Sequence, residues 1–264
     1  MTRIAFVAPF GLGQKTTVWA RTLPLARELV QLGHATQIIV PPWDTPADSG
    51  RTWVDEGVDL VNVTLDGGIP GTVLRMLTQI KDAGPDIIHI IKPRAHAGLV
   101  QWRLWQKRRR PPLFLDIDDW EQAWTDVNHY DPVTGRFLAW QEEWGIRHAD
   151  AITAASRWLM EKAQHYSAAT PVLYLPNGVD VPASVANTNE LATAGTGPTV
   201  LFFSRFVEVE PLWLATFWQT LHAAIPDARL VVAGSAIEPG HEEPFHVAIA
   251  ELGASAAQAV SWRG

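Results

Sequence analysis

The chain has 264 residues, enough for one large domain or two smaller ones of the usual ~100–200 residues, and its 47% hydrophobic and 19% charged content is that of a globular protein. A net charge of −7 and a pI near 5.7 give no general attraction to nucleic acid or anionic lipid, so any basic function is local. The absence of cysteine excludes disulfides, thiolate catalysis and Cys-based metal sites, and fits a cytoplasmic location.

The start of the chain, Met1 to Pro9, is too short and too soon followed by polar residues to be a signal peptide. No apolar run approaches the ~18 residues of a membrane-spanning helix, so the expectation is a soluble protein, at most peripheral to a membrane. Short Val- and Ile-rich runs then alternate with segments of helical period, the pattern of a parallel sheet wrapped by helices. The runs are 4–8, 36–40, 58–63, 87–91, 113–117, 151–154 and 172–175. Buried on both faces, such strands need no polar alternation.

Between them, Val18, Thr22, Leu25, Leu29 and Leu32 step along one helical face, with Gly33 as a left-handed cap. Further helices are expected over 72–81, 97–109, 137–148 and 157–166. Residues 183–197 are rich in Ala, Ser, Thr, Asn and Gly, which cannot build a core and read as a linker. The alternation restarts with a strand over 199–203, a helix over 212–224, a strand over 229–233, a helix over 245–252 and a strand near 259–262. The division expected is a Rossmann-like domain 1–177, a linker 178–197 and a partial second domain 198–264, whose ~67 residues hold half of a doubly wound domain.

Several residues carry chemistry. Gly11, Leu12 and Gly13 follow the first strand and precede the first helix; their N–H groups suit a phosphate, and equally suit a plain turn. The dinucleotide fingerprint and the P-loop are both incomplete, with Thr16 and Gln14 where glycines are needed. Asp116, Asp118, Asp119 and Glu121 put four carboxylates within six residues at the end of a strand, too dense for a core unless paired or solvated. His89 lies inside an apolar strand and reads as a core histidine, whereas His96 lies on a loop or first helical turn. Trp120, Trp124, Trp140 and Trp144 suit core packing or stacking on sugar rings. Trp102, Arg103, Trp105, Lys107, Arg108, Arg109 and Arg110 fall on one predicted helix, where they answer its dipole or form a patch for anionic lipid.

Four segments in order resemble glycosyltransferase family 4. They are the glycine loop and helix through Leu23-Pro24-Leu25-Ala26-Arg27-Glu28-Leu29; Pro85-Asp86-Ile87-Ile88-His89-Ile90; Ala149-Asp150-Ala151-Ile152-Thr153-Ala154-Ala155-Ser156; and Leu175-Pro176-Asn177-Gly178-Val179-Asp180 followed by Val200 to Phe206. The resemblance implies a GT-B fold, two Rossmann-like domains about a cleft, and sugar transfer from a nucleotide sugar to a hydroxyl acceptor, a saccharide or lipid-linked. It implies retention of configuration, no cofactor and no metal; an Asp-x-Asp metal site at Asp116 and Asp118 is the alternative. Asn177 and Gly178 match the hinge. Asp118 stands where many members have a histidine that meets donor sugar or acceptor, so Asp118 with His96 are the catalytic candidates, and Asp119, Gly11, Leu12 and Gly13 line the cleft.

Arg205 matches the family's donor-phosphate arginine, while Glu210 stands where a lysine is expected and Pro211 where a glycine usually follows. An anion beside a diphosphate repels it; alternatively Glu210 simply begins a helix with Pro211 at its first position. The family's paired glutamates are not reached before Gly264, which makes an incomplete form, with little or no transfer by itself, the expectation. A non-catalytic binding remnant and a sugar-nucleotide epimerase of the same fold are the rival readings.

Overall fold

A computed structural model describes residues 1–13, 15–124, 130–178, 197–236 and 239–263. The chain divides into two compact units, Met1–Asp180 and Val181–Gly264. Most of the expected linker, residues 179–196, lies outside the described residues.

The first unit is built on β1 (Arg3–Val7), β2 (Ala35–Val40), β3 (Thr52–Asp55), β4 (Val58–Asn62), β5 (Ile87–Ile91), β6 (Leu113–Ile117), β7 (Ala151–Ala154) and β8 (Val172–Tyr174). They form one sheet in the order β3-β4-β2-β1-β5-β6-β7-β8. Every neighbouring pair is parallel except β3 with β4. The strand β3 was not foreseen; its exposed alternate residues and antiparallel pairing with β4 are those of an edge.

Alternate residues of β1, and Ala8 just after it, enter different cores. Ala5 and Val7 pack with Ile88, Ile90, Leu113 and Leu115 on one face, and Phe6 and Ala8 with Ile38, Val40 and Leu60 on the other. Helices cover both faces: α1 (Leu23–Gln31), α2 (Gly68–Ala83), α3 (Ala95–Trp105), α4 (Pro132–Arg147) and α5 (Arg157–Tyr166). Strand order reverses between β1 and β5, the place where sheets of this kind leave a crevice beyond the strand ends.

Two expectations are corrected here. The first helix opens as a π-helical turn, Val18–Thr22, before α1 begins. The segment from Lys107 to Arg110 is not helical: α3 stops at Trp105, and the Lys107 N–H closes its last turn on the Leu104 carbonyl at 3.0 Å. Four successive cations repel one another, and Pro111 and Pro112 disfavour helix before them and lack N–H donors. The basic residues from Lys107 onward therefore follow the end of the helix and do not lie on its face.

The second unit has β9 (Thr199–Phe203), β10 (Arg229–Ala233) and β11 (Val260–Arg263), parallel in the order β11-β10-β9, with α6 (Pro211–Ala224), α7 (Glu243–Ala250) and α8 (Ala254–Gln258). Its core centres on Trp218, which is 0% exposed and donates its indole N–H to the Ala256 carbonyl at 2.8 Å. Trp218→Ala removes both packing and that bond and is expected to destabilise this unit by ~3–5 kcal/mol. Amide exchange in β9 and β10 will show the loss as faster exchange, with the β1–β6 amides as the internal control.

Candidate functional site

At the carboxyl end of β6, Asp116 is fully buried and bonds bidentately with Arg21, at 2.8 Å to Nε and 2.7 Å to Nη2. Arg21 gives two further bonds, to the Asn177 side chain at 2.8 Å and the Leu175 carbonyl at 2.9 Å. Burial lowers the affinity of its guanidinium for the proton, but Asp116 and Asp118 outweigh that and hold its pKa above the ordinary value. Thr153 on β7 donates a further bond to Asp116 at 2.5 Å.

The remaining carboxylates converge on Lys92, the first residue after β5. Its ammonium lies 3.0 Å from Asp118, 2.7 Å from Asp119 and 2.8 Å from Glu121. Burial opposes its charge, yet these three anions raise its pKa well above the ordinary lysine range. Glu121 also pairs with Arg94, which reaches the Tyr130 hydroxyl at 2.7 Å. Lys92 and Ala95 hold φ of 56° and 47°, unusual for residues with a Cβ. The turn is kept there by the Lys92 N–H on the Asp116 carbonyl at 3.0 Å and by Gln141 on α4, which bonds both backbone groups of Ala95.

Asp118, at the centre, takes a 3.0 Å bond from the Thr17 hydroxyl. Burial raises its carboxyl most; Lys92 opposes, Asp119 and Asp116 add to the rise, and the result is a pKa of about 6. Asp118, Asp119 and Glu121 have oxygens close enough to hold a metal ion, but the Lys92 ammonium stands among them as the cation.

Gly11 and Gly13 are held against the turn after β2: the Gly11 N–H bonds Asp44 at 2.7 Å, and a Cβ at either glycine would fall 2.6 or 2.7 Å from Thr45. Glycine is thus required by close approach. His96 is buried in the first turn of α3, its Nδ1 without a hydrogen-bond partner, and burial lowers its pKa. No bond joins it to Asp118 among the described residues. His89 is a core residue, packed on Phe6 and 3.3 Å from Thr153, with its pKa lowered by burial. Asn177 meets Arg21, and Gly178 lines a cavity of about 700 Å³ beside Trp19 and Pro24. Trp120 and Trp140 are not core: they are 41% and 44% exposed, and Trp120 covers the Lys162 ammonium at 4.1 Å.

In the second unit Arg205 follows β9 and pairs with Glu208 at 2.9 Å. The Glu208 carboxylate also accepts the Ser204 hydroxyl at 2.8 Å and the Arg205 N–H at 3.1 Å. Partial burial opposes its charge, but these bonds bring its pKa down to about 2. Gly234 on the neighbouring strand end is required: at φ 126°, a Cβ would stand 2.0 Å from the Ser204 carbonyl oxygen. Glu210 is exposed and occupies the position before Pro211 at the start of α6, the helix-start geometry.

Arg21, Lys92, Arg94 and Glu208 were not singled out from sequence. Lys92 and Arg94 had a signal: two cations directly after an apolar strand, beside a strand ending in four carboxylates. Arg21 had none, since it lies within a helical pattern.

Parallel sheets wound on both faces, with the charged network at the strand-order reversal, define a Rossmann-like protein of GT-B class. Residues 16–178 match the glycosyl transferase 4-like domain, and the chain belongs to that family. No curated protein matches it in sequence comparison. Among solved structures it is similar to sucrose-phosphate synthase from Thermosynechococcus elongatus (TM-score 0.68, 16% identity, covering 100% of this chain and 70% of that one). It is also similar to the catalytic domain of starch synthase IV from Arabidopsis thaliana bound to ADP and acarbose (0.66, 13%, 99% and 74%). A third is HepE of Anabaena in complex with UDP-glucose (0.60, 14%, 99% and 68%). At these identities the likeness establishes the fold.

The raised pKa of Asp118 has a stability consequence. Between about 4 and 6 the folded carboxyl keeps a proton that the unfolded one releases, so this contribution favours folding at the acid end and is lost as pH rises through 6. Asp118→Asn, which can still accept from Thr17, removes it. Denaturant titrations at pH 4.5 and 7 (about the two ends of the window) should show the variant gaining on the parent by roughly 1–3 kcal/mol at the higher pH.

Proposed function

We propose that the chain serves transfer of a sugar from a nucleotide-sugar donor to a hydroxyl acceptor, a saccharide or lipid-linked, with retention and without a metal. The observation that carries this is the Asp118 carboxyl, placed at the strand-order reversal between Lys92 and Thr17 and titrating at about 6. Ionised above that pH, it accepts a hydrogen bond from the acceptor hydroxyl and orients it; protonated below, it cannot accept through that oxygen. Lys92 supplies the positive charge that a cation would otherwise supply to these carboxylates. The family match supports the reaction class, and the ADP and UDP-glucose of the similar structures support a nucleotide donor.

In this reading the donor diphosphate meets the loop after β9. As the glycosidic bond breaks, negative charge builds on the leaving phosphate, and the Arg205 guanidinium stabilises it. Arg205 is shared with Glu208, so phosphate competes with that carboxylate. Glu210 adds a second anion nearby in sequence.

Calorimetry with UDP-glucose and ADP-glucose tests the donor side. Arg205→Ala is expected to weaken binding about tenfold, or ~1.4 kcal/mol, and Glu210→Lys to tighten it severalfold. Equal affinity of the parent and Glu210→Lys would show that Glu210 does not face the phosphates. Nucleotide-sugar turnover that needs no acceptor would replace transfer by epimerisation.

A further inference from the structure

The outer face of α4 reverses the usual pattern. Its inward residues include polar Gln141 and Glu142, both buried, while its outward stripe carries Val133, Phe137 and Trp140, which are 76%, 40% and 44% exposed. The stripe continues as a chain of rings: Phe137 to Trp140 at 5.8 Å, Trp140 to Trp144 at 6.1 Å, Trp144 to His148 at 4.1 Å, and His148 to Trp105 at 5.4 Å. Arg110 lies over Trp105 at 4.2 Å, so the aromatic stripe runs directly into the basic segment. Lys107, Arg108 and Arg109 are exposed and make no ion pair among the described residues. In a chain of net charge −7 this is a local concentration of positive charge.

We propose that this face docks on an anionic lipid bilayer. Amphipathic rings with adjacent unpaired cations match the boundary between acyl chains and anionic headgroups. Single-stranded nucleic acid also takes aromatic and basic residues, but it needs open ring faces. Here the rings are engaged with one another, Phe137 with Trp140 at 26° and Trp144 with His148 at 8°, and the exposed Val133 continues the stripe with an aliphatic side chain that has no face for a base. The inference is independent of the sugar-transfer reading.

Sedimentation with vesicles of phosphatidylcholine alone, or mixed with phosphatidylglycerol, tests it. The chain is expected to bind the mixed vesicles only, with binding weakened by salt. The combined variant Lys107→Ser, Arg108→Ser, Arg109→Ser should bind about a hundredfold more weakly. Phe137→Ser with Trp140→Ser should also lose binding while keeping the parent's circular dichroism. Failure to sediment with anionic vesicles, or binding indifferent to both variants, would overturn the proposal. So would lipid-free self-association through Trp140, or capture of a single-stranded oligonucleotide in place of lipid.

Discussion

The buried pair between Arg21 and Asp116 is the constraint on which the first unit's site depends. Each group would be costly alone in the interior, and removing one partner of such a pair typically destabilises by ~3–5 kcal/mol. Here Nε, Nη1 and Nη2 of Arg21 all donate, and Asp116 is also satisfied by Thr153. The pair therefore joins the π-helical turn after the glycine loop to β6, and through Thr153, Leu175 and Asn177 to β7 and the end of β8. One turn earlier, Thr17 is brought within reach of Asp118.

Charge balance then decides which carboxylate is special. Asp116 has Arg21, Glu121 has both Lys92 and Arg94, and Asp119 is 44% exposed at its side chain. Asp118 is buried, shares Lys92 with two other anions and lies near both Asp119 and Asp116. The pKa of its carboxyl is raised to about 6. A sequence of four acids near one strand end thus yields unequal groups, because the cations that answer them come from two other elements.

The alternation of apolar runs and helical segments was legible because strands buried on both faces, such as 87–91 and 113–117, leave nearly continuous apolar runs; 199–203 and 229–233 also coincide with strands, although Leu201 and Phe203 are exposed. The short β3 was missed because half-exposed edges carry no such run. The end of α3 was misplaced because cations are good helix formers, and local propensity says little about mutual repulsion before two prolines. In the site, the acids were visible as a cluster, but Arg21 was not, since pairing across 95 positions leaves no local trace. For the Trp120 and Trp140 rings the sequence left core packing and stacking on sugar rings open, because their exposure depends on which way a helix or loop faces.

The helix α4 ties these features together. Its inner face supports the site: Gln141 holds Ala95 in its left-handed turn, and the Glu142 carboxylate accepts the N–H groups of Glu121 and Gln122 at 3.2 and 3.1 Å. Burial raises the pKa of the Glu142 carboxyl and Glu121 adds to the rise, while Lys162 and those N–H groups pull it down. Its outer face carries the aromatic stripe. One helix thus carries both the contacts that hold the Ala95 turn and Glu121 and the apolar outer stripe. Its approach to that turn is close: a Cβ at Gly98 would stand 2.8 Å from Gln141 Nε2, and one at Gly145 would stand 2.5 Å from Pro93. Glycine at both points lets α3 and α4 approach the turn closely enough for Gln141 to reach Ala95. The two glycines thus sit against the Pro93 end of the turn that carries Lys92, and Gln141 and Glu142 both reach the network from α4.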